Sequence, residues 1–516
     1  MRPTAVGFGV ALLLYVARLD AVCGLYVDDA WYVLLAKGLA NGQGYALSNA
    51  PSPGILPFYP PAFPWVLSWV FRVAPGFPGN VWLLKTVSIA AMLGVGLLTR
   101  RYAVRIVGVD RTLATAIALV TMLHPAFVFL ATATVMSECV FTLAQLATVL
   151  AVERVARERR GVVAAGLAGV LAASTFLVRS MGIGLIGAGG LYLLKERRWR
   201  QAIAFGVGVA LLAGPWMLHA RSHAPTPAQQ AEMNDYVVYP YSVHFWSKVA
   251  GSPRFGTSTV AELPGRTWSV AKVVATRDVG ALVLYPLYRL IEAGEWVASG
   301  RTGVTVSLIA GLLMAIGFGS IARRRIGLTE LLVPVTLAAI VSWAFLPFRF
   351  VMPLLPFALC YLAVGVRILG GLVSGLGGRS TAIVVFAALG LVDVASNVAY
   401  ARRLWGPPEA RPLWQRIFDE EMDVIRWVHD HVPRDQPVAS HEPAIISLYD
   451  GGRKTVGYWQ PTGTWKEWRR LGVHYLVDMS YVDAKDANLP EGRYPTVYRS
   501  PTMNLRVLDL QRIYGP

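Results

Sequence analysis

Apolar residues occur along most of this chain in long uninterrupted blocks rather than in amphipathic alternation. A helix needs about 20 apolar residues to cross a hydrocarbon core of roughly 30 Å, and several blocks approach that length. Because backbone polar groups in lipid must be hydrogen-bonded within their own segment, these blocks predict transmembrane helices. We predict eleven spans, at residues 5–22, 80–99, 112–130, 136–152, 162–178, 181–194, 201–218, 303–321, 329–346, 350–366 and 381–399.

The composition agrees with a membrane protein. The chain has 516 residues, of which 55% are hydrophobic and 15% charged, whereas soluble proteins carry about 25% charged residues. The net charge of +17 does not predict nucleic-acid binding, because the basic residues cluster in short gaps between apolar blocks, as the positive-inside rule describes. We therefore expect the lipid bilayer, and no nucleic acid, as the partner of these charges. The clusters are Arg100, Arg101 and Arg105; Arg154, Arg157, Arg159 and Arg160; Lys195, Arg197, Arg198 and Arg200; Arg323, Arg324 and Arg325; Arg367 and Arg379.

A cytoplasmic N-terminus places every one of these clusters on the cytoplasmic side of an inner (plasma) membrane. Two long loops, 23–79 and 219–302, and the tail after residue 400 then face outward. The tail has a helical pattern at Asp419–His431 and strand-like runs at Pro437–Ser440 and His474–Met479. The predicted fold is an all-α polytopic membrane domain, residues 1–400, followed by a small extracytoplasmic α/β domain, residues 401–516.

Two adjacent acids, Asp28 and Asp29, follow the first predicted span directly. Such a pair suits a general base, or carboxylate ligands for a divalent cation. The alternative is that Asp29 only caps a helix that begins at Ala30, where aspartate is favoured. That alternative leaves Asp28 and the Pro-rich segment Phe58–Pro64 unexplained.

An acidic pair after the first helix, an amphipathic run at Tyr32–Leu39, a turn at Asn41–Tyr45 and a Tyr59-Pro60-Pro61 segment follow one another here. This order resembles the first outer loop of C-type (GT-C) glycosyltransferases, above all protein O-mannosyltransferases and lipid A aminoarabinose transferases. The resemblance implies transfer of a hexose or pentose from a polyprenyl-phosphate carrier to an acceptor hydroxyl on the outer face, with inversion. It also implies that Asp28 is the general base and that Asp29 orients it or contacts the acceptor.

The chain departs from this family at two places. It has Asp-Asp where many relatives have Asp-Glu, which shortens the reach of the second carboxylate. Tyr59 stands where the aminoarabinose transferases have a lysine, so a phosphate-binding role is not transferred to it, and Tyr59 remains a secondary candidate. The resemblance implies no required cofactor, and the sequence has no clustered Cys/His set, Walker A motif or dinucleotide fingerprint. A divalent cation at Asp28 and Asp29 stays open.

Two arginines, Arg179 and Arg349, are predicted at the outer ends of helices and breach the positive-inside pattern. A guanidinium donates paired hydrogen bonds to phosphate, so both are candidate ligands of the donor phosphate. The alternative is that they snorkel to lipid headgroups. Glu138, at the outer start of the fourth span, is a secondary candidate, with a purely structural ion pair to Arg179 as its alternative.

Further candidates lie in the outer segments. His244 belongs to the aromatic run Tyr236–Trp246, which suits either sugar stacking or an interfacial aromatic belt. In the tail, His441–Pro443 and Trp459–Trp468 are candidates for contact with an acceptor, which is a lipid, a glycan or a protein. The alternatives to an enzyme are a transporter or flippase of lipid-linked sugars, which predicts inverted repeats and charges inside the spans, and a non-catalytic family member.

Overall fold

The computed structural model describes residues 2–248, 255–290, 298–344, 348–373, 375, 377–459, 464–479 and 495–511. Parts of the predicted outer segments and of the Arg349 and Trp459 motifs lie outside these residues, at 249–254, 291–297, 345–347, 460–463 and 480–494. The chain forms two compact units. The helical unit comprises Met1–Asp20, Lys85–Leu218 and Val260–Trp405, and the composite unit comprises Ala21–Leu84, His219–Thr259 and Gly406–Pro516.

Every predicted span coincides with an apolar helix. Among the described residues, six helices are long and apolar enough to cross a membrane: Val81–Val107, Glu138–Arg157, Trp199–Ser222, Arg301–Arg324, Phe348–Val373 and Gly378–Leu404. A seventh span is a pair of helices, Arg111–Leu123 and Pro125–Thr132, bent by 48°. Four shorter apolar helices occupy the remaining predicted spans: Ala5–Arg18, Val162–Val178, Ser180–Lys195 and Leu328–Ser342. The all-α polytopic architecture is confirmed, and the count of eleven crossings stays a prediction.

The bend in the third predicted span has a local cause. His124 lies between the two helices with φ −54° and ψ 119°, outside the helical region. Pro125 follows it, and a proline both lacks the N–H that would continue the helix and disfavours helical geometry in the residue before it. One apolar block therefore becomes two helices.

Glycine lets helices of the helical unit approach closely. A Cβ atom on Gly317 would lie 1.9 Å from the carbonyl oxygen of Tyr361, and one on Gly365 would lie 2.0 Å from that of Leu313. Small residues at such crossings are how transmembrane helices pack when lipid is as apolar as the side chains. Elsewhere the unit exposes large apolar side chains, including Val163, Leu211 and Leu391, as helices that face lipid do.

The spans contain more buried polar groups than their composition suggested. Arg18 is fully buried, donates a hydrogen bond to the side-chain oxygen of Asn397, and lies 3.8 Å from the centre of the Tyr400 ring. Asp393, one turn before Asn397, is also buried. Buried charges therefore do not, by themselves, separate an enzyme from a transporter in this chain.

The tail of the composite unit folds around a five-stranded sheet. The strands are β1 Val438–Ser440, β2 Thr455–Gly457, β3 Tyr475–Asp478, β4 Thr496–Arg499 and β5 Arg506–Asp509, in the order β2-β1-β3-β5-β4. β1 pairs in parallel with β2 and β3, and β5 pairs antiparallel with β3 and β4. The helices are Leu413–His431, Pro443–Tyr449 and Thr464–Leu471. The predicted helix and both predicted strands are confirmed.

The two loops predicted to face outward close the free edge of β2. The backbone N–H of Thr455 donates to the carbonyl of Asn49 (2.9 Å), and that of Trp459 donates to the carbonyl of Asn234 (2.8 Å). A Cβ atom on Gly457 would lie 2.5 Å from the same Asn234 oxygen, so only glycine fits there. An open sheet edge is a site of unwanted pairing, and here segments distant in sequence cover it. The first loop, part of the second loop and the tail therefore form one unit.

Short helices complete the description: Asp28–Ala40, Ala62–Val73, Pro227–Met233 and Tyr241–Trp246 in the composite unit, and Leu263–Val273 and Val279–Ala281 in the helical unit. The helix Asp28–Ala40 was expected to be amphipathic, but its residues from Asp29 to Ala36 are all buried. Ala62–Val73 does show two faces, because it buries Phe63, Leu67 and Phe71 and exposes Trp65 and Trp69.

Candidate functional site

The composite unit brings two tyrosines to the Asp28 carboxylate. Asp28 is the first residue of the helix Asp28–Ala40. Tyr59 comes from the segment before the helix Ala62–Val73, and Tyr236 begins a 3₁₀ turn in the second loop. The Tyr59 hydroxyl donates to Asp28 Oδ1 at 2.6 Å, and the Tyr236 hydroxyl donates to the same oxygen at 2.8 Å.

Both tyrosines are neutral donors. Burial, reinforced by the negative charge of Asp28, holds the pKa of each hydroxyl well above its usual value. Each tyrosine therefore keeps its proton at neutral pH, and hydrogen bonds to a charged group are shorter and stronger than neutral ones. Asp28 is held in one orientation by groups that add no positive charge, so its negative charge is not compensated by them.

Asp29 has a different environment. It is fully buried, and its Oδ2 accepts from the N–H of Gly24 (3.0 Å) while its Oδ1 accepts from those of Tyr26 and Ala30 (3.1 Å each). The helix begins at Asp28 with Val27 as its N-cap, so the alternative in which Asp29 caps a helix beginning at Ala30 is wrong by position. Asp29 instead holds the turn that leads into Asp28.

Gly24 in that turn has to be glycine. Its φ is +112°, which side-chain-bearing residues rarely adopt, and a Cβ atom would lie 2.8 Å from the side chain of Ile445. The turn therefore packs against the helix Pro443–Tyr449. The hydroxyl of Tyr449 in the same helix donates to the carbonyl of Cys23 (3.1 Å). These contacts position Asp28 from the side of the tail.

His244 supports Tyr236. Its Nε2 lies 3.2 Å from the Tyr236 carbonyl oxygen, and since a carbonyl only accepts, Nε2 carries the proton. Burial lowers the pKa of His244, which favours this neutral form. Beside it, the N–H of Phe58 donates to the carbonyl of Val237 at 2.9 Å and so joins the two loops. The structure gives His244 a contact that positions Tyr236, and sugar stacking by the aromatic run stays a prediction.

Three further buried carboxyl groups accompany the acidic pair: Asp235, Glu421 and Glu442. Burial raises the pKa of Asp235 to about 7, and the charge of Asp28 adds to the effect. Burial and then the charge of Asp29 raise the pKa of Glu421 to about 8. Burial together with the charges of Glu421, Asp235, Asp29 and Asp28 raises the pKa of Glu442 well above its usual range. Its Oε2 is buried and makes no hydrogen bond to the described residues.

Sequence reasoning did not assign Tyr236, Asp235 or Glu421 to the site. The adjacent Asp235 and Tyr236 in an outward loop were a usable signal, but an aromatic belt explained the tyrosines equally well. Glu421 gave no signal, because it is one acid among several on the helix Leu413–His431. Glu442 was considered only as part of a candidate acceptor contact.

The helical unit brings Glu138, Arg179 and Arg349 together. Arg179 Nη1 lies 2.8 Å from Glu138 Oε1, and Arg349 Nη1 lies 3.9 Å from the same oxygen. Arg179 also donates to the Ser137 hydroxyl (3.2 Å). The ion pair between Glu138 and Arg179, considered as an alternative, is present, and the cluster keeps a net charge of +1. Asp28 and Asp29 belong to the other unit, so the predicted common face of all five residues stays a prediction.

Within the described ranges, no group of three His, Cys, Asp or Glu side chains is placed to hold a metal ion. The oxygens of Asp29 accept backbone N–H groups, whose positive ends would repel a cation at the same oxygens. The Asp28/Asp29 pair alone is not such a group, and a divalent cation at the pair stays an open prediction.

Comparisons with known proteins bear on the fold. No family model and no curated protein matches the sequence. Among solved structures, ArnT from Cupriavidus metallidurans bound to undecaprenyl phosphate matches with a TM-score of 0.58 and 14% identity, over 98% of this chain and 97% of that chain. The archaeal oligosaccharyltransferase AglB from Archaeoglobus fulgidus, in complex with an inhibitory peptide and a dolichol-phosphate, matches with a TM-score of 0.52 and 14% identity. That match covers 92% of this chain and 69% of that chain.

The chain has the C-type glycosyltransferase fold. The match spans nearly the whole chain and confirms the fold that the resemblance implied. A further structure of the Archaeoglobus fulgidus oligosaccharyltransferase, a complex with Zn and sulfate, matches with a TM-score of 0.54 and 12% identity, over 92% of this chain and 67% of that chain. At such identities the likeness establishes the fold and leaves the reaction to be argued from the site.

Proposed function

We propose that the chain is an integral membrane glycosyltransferase that uses a polyprenyl-phosphate-linked sugar. It moves a hexose or pentose to an acceptor hydroxyl on the outer face of the inner (plasma) membrane, with inversion. One observation carries the proposal: a single carboxylate, Asp28, held by the hydroxyls of Tyr59 and Tyr236, in a fold shared with a protein bound to undecaprenyl phosphate.

In this proposal Asp28 is the general base. It takes the proton of the acceptor hydroxyl while the acceptor oxygen attacks the anomeric carbon from the side opposite the phosphate. The bond from that carbon to the phosphate oxygen breaks, its electron pair leaves with the polyprenyl phosphate, and the configuration inverts. A positioned base contributes about 10²- to 10⁴-fold to such a step.

Arg179 and Arg349 are the proposed ligands of the donor phosphate. Their guanidinium groups share Glu138, which holds them in place. A leaving phosphate gains negative charge as the sugar departs, and preorganised cations stabilise that charge without rearrangement. No step requires a metal ion.

The test is turnover by the purified full-length chain. Undecaprenyl-phosphate-linked sugars would be offered with lipid, glycan and peptide acceptors, and wild type compared with Asp28→Asn. Asp435→Asn, which changes an exposed acid in the tail, is the matched control. We expect loss of turnover only in Asp28→Asn, and equal turnover in all three proteins would contradict the assignment of the base.

Two further arms sharpen this test. Turnover should persist in excess chelator, because the oxygens of Asp29 already accept N–H groups; loss of turnover that added Mn²⁺ or Zn²⁺ restores would contradict metal-free catalysis.

The second arm addresses a lipid-linked sugar flippase, which the buried Arg18 and Asp393 keep as the alternative. Translocation of the donor in vesicles without sugar transfer, unaffected by Asp28→Asn, would favour the flippase.

A further inference from the structure

A cleft of about 580 Å³ opens in the helical unit between two of its long helices. One is Val81–Tyr102 with its π-helical continuation Ala103–Val107, and the other is Glu138–Arg157. The helices touch where a Cβ atom on Gly94 would lie 2.8 Å from the side chain of Leu143. The cleft begins one turn further along each helix, at Leu98 and Ala147. The cleft therefore lies beyond this contact, toward the C-terminal ends of both helices.

The two ends of the cleft differ in chemistry. The end nearer the Gly94 contact is lined by apolar residues from both helices, Leu98, Ala147, Leu150 and Ala151. The far end is mostly charged: besides Ile106 it is lined by Arg101, Arg105, Arg154 and Arg157, together with Glu153 and Glu158. The lining positions recur at three- and four-residue steps, which puts them on one face of each helix. The cleft is thus amphiphilic along its length.

Two of its four arginines are not neutralised. Arg157 Nε lies 2.7 Å from Glu153, and Arg154 Nε lies 2.9 Å from Glu158. Within the described part of the chain, Arg101 and Arg105 have no carboxylate partner. They are four residues apart on one helix, where like charges repel. Four arginines and two glutamates leave the lining with a charge of +2, which an anion would offset.

We propose that this cleft binds the phosphate headgroup of an anionic phospholipid, with an acyl chain along its apolar end. Arginine binds phosphate through paired hydrogen bonds, and basic pockets between transmembrane helices are known to take anionic headgroups. The positive-inside pattern puts the arginines at the level of the cytoplasmic headgroups. A soluble anion would explain the arginines but not the apolar end. The cleft shares no residue with Asp28 or with the Glu138 cluster, so this proposal does not depend on the proposed function.

The experiment measures lipid retained by the purified full-length chain, using native mass spectrometry after titration with dioleoylphosphatidylglycerol. Wild type is compared with Arg101→Ala/Arg105→Ala. The control is Arg323→Ala/Arg324→Ala, which removes two exposed arginines from the end of another helix. We expect the affinity to fall about tenfold or more in the cleft variant, since each basic residue near anionic lipid contributes on the order of 1 kcal/mol. The control should bind as wild type does.

A second variant distinguishes loss of the lipid site from misfolding of the Arg101→Ala/Arg105→Ala variant. Ala151→Trp fills the apolar end and leaves all four arginines in place, and it should weaken retention as well. Equal loss of lipid in the Arg323/Arg324 control would overturn the proposal in favour of general surface attraction. Unchanged retention in both cleft variants, equal retention of dioleoylphosphatidylcholine, or equally tight binding of inorganic phosphate alone would overturn it too.

Discussion

Two regions of this protein hold a buried or half-buried carboxylate, and they hold it by opposite means. In the composite unit, Asp28 is bound by the neutral hydroxyls of Tyr59 and Tyr236. In the helical unit, Glu138 is bound by the cationic side chains of Arg179 and Arg349. The two hydroxyl donors to the first carboxylate carry no charge, whereas the two partners of the second are cations.

The comparison distinguishes the principal acidic candidate of the sequence, Asp28, from the secondary candidate, Glu138. A base has to exchange a proton, so hydrogen bonds from neutral donors suit it, whereas a carboxylate between two guanidinium groups is suited to hold those cations in place. The partners of each acid therefore favour catalysis for Asp28 and organisation of cations for Glu138. Four sets of substitutions test this contrast.

The largest effect is expected from Asp28→Asn. An amide cannot accept the acceptor's proton, so kcat should fall about 10²- to 10⁴-fold, while helicity by circular dichroism and thermal stability stay near wild type. Measured turnover with a lipid-linked sugar checks the expectation. A similar fall in Asp435→Asn would show that the loss is not specific to the base.

Glu138→Gln should act on stability first. Removing the carboxylate leaves two buried or half-buried guanidinium groups facing each other, and breaking such a pair costs about 3 kcal/mol. Thermal unfolding in detergent measures this, with Glu196→Gln, whose partner Lys195 is exposed, as the control expected to change little. Equal unfolding temperatures for Glu138→Gln and Glu196→Gln would contradict a stabilising role of the Glu138 cluster.

Tyr59→Phe and Tyr236→Phe should each reduce kcat about tenfold, because a hydrogen bond to a charged group contributes roughly 1.5–3 kcal/mol. The double variant should lose less than the product of the two effects, since both hydroxyls bind one oxygen. Tyr239→Phe, whose ring packs on Trp459, is the control. Strictly multiplicative losses would argue against a shared role at Asp28.

The smallest effect is expected in the slope of the melting temperature against pH. Glu421 has a pKa near 4.5 when unperturbed and about 8 in the fold, where burial and Asp29 raise it. The native state then binds the proton more tightly than the unfolded chain, so Glu421 lowers stability as pH rises from about 4.5 through 8. Glu421→Gln should flatten this fall in melting temperature between pH 5 and 9. An unaltered slope would mean that Glu421 is not held protonated.

The sequence predicted the membrane architecture more completely than it predicted the candidate site. Hydropathy blocks predicted each apolar helix, and a local motif directed attention to Asp28. The resemblance gave Asp28 and Asp29 different roles, but the motif did not show their hydrogen-bond partners, because the two residues share their neighbours in sequence and not their partners in space. Gly24 and Ala30 satisfy Asp29 from within its own turn, whereas Asp28 depends on residues as far away as Tyr236.

What the sequence determined by itself was the all-α polytopic class, one helix and two of the five described strands of the tail, and a candidate base, since periodicity and apolar blocks are local properties of a chain. Only the tertiary structure decided that Tyr59 and Tyr236 share one oxygen of Asp28, and that Glu138 lies between two arginines. It also decided that the two loops close the edge of β2. Each of these contacts joins residues about 30 to 400 positions apart. No local sequence pattern encodes such a contact, and only the folded chain brings the partners within hydrogen-bond distance.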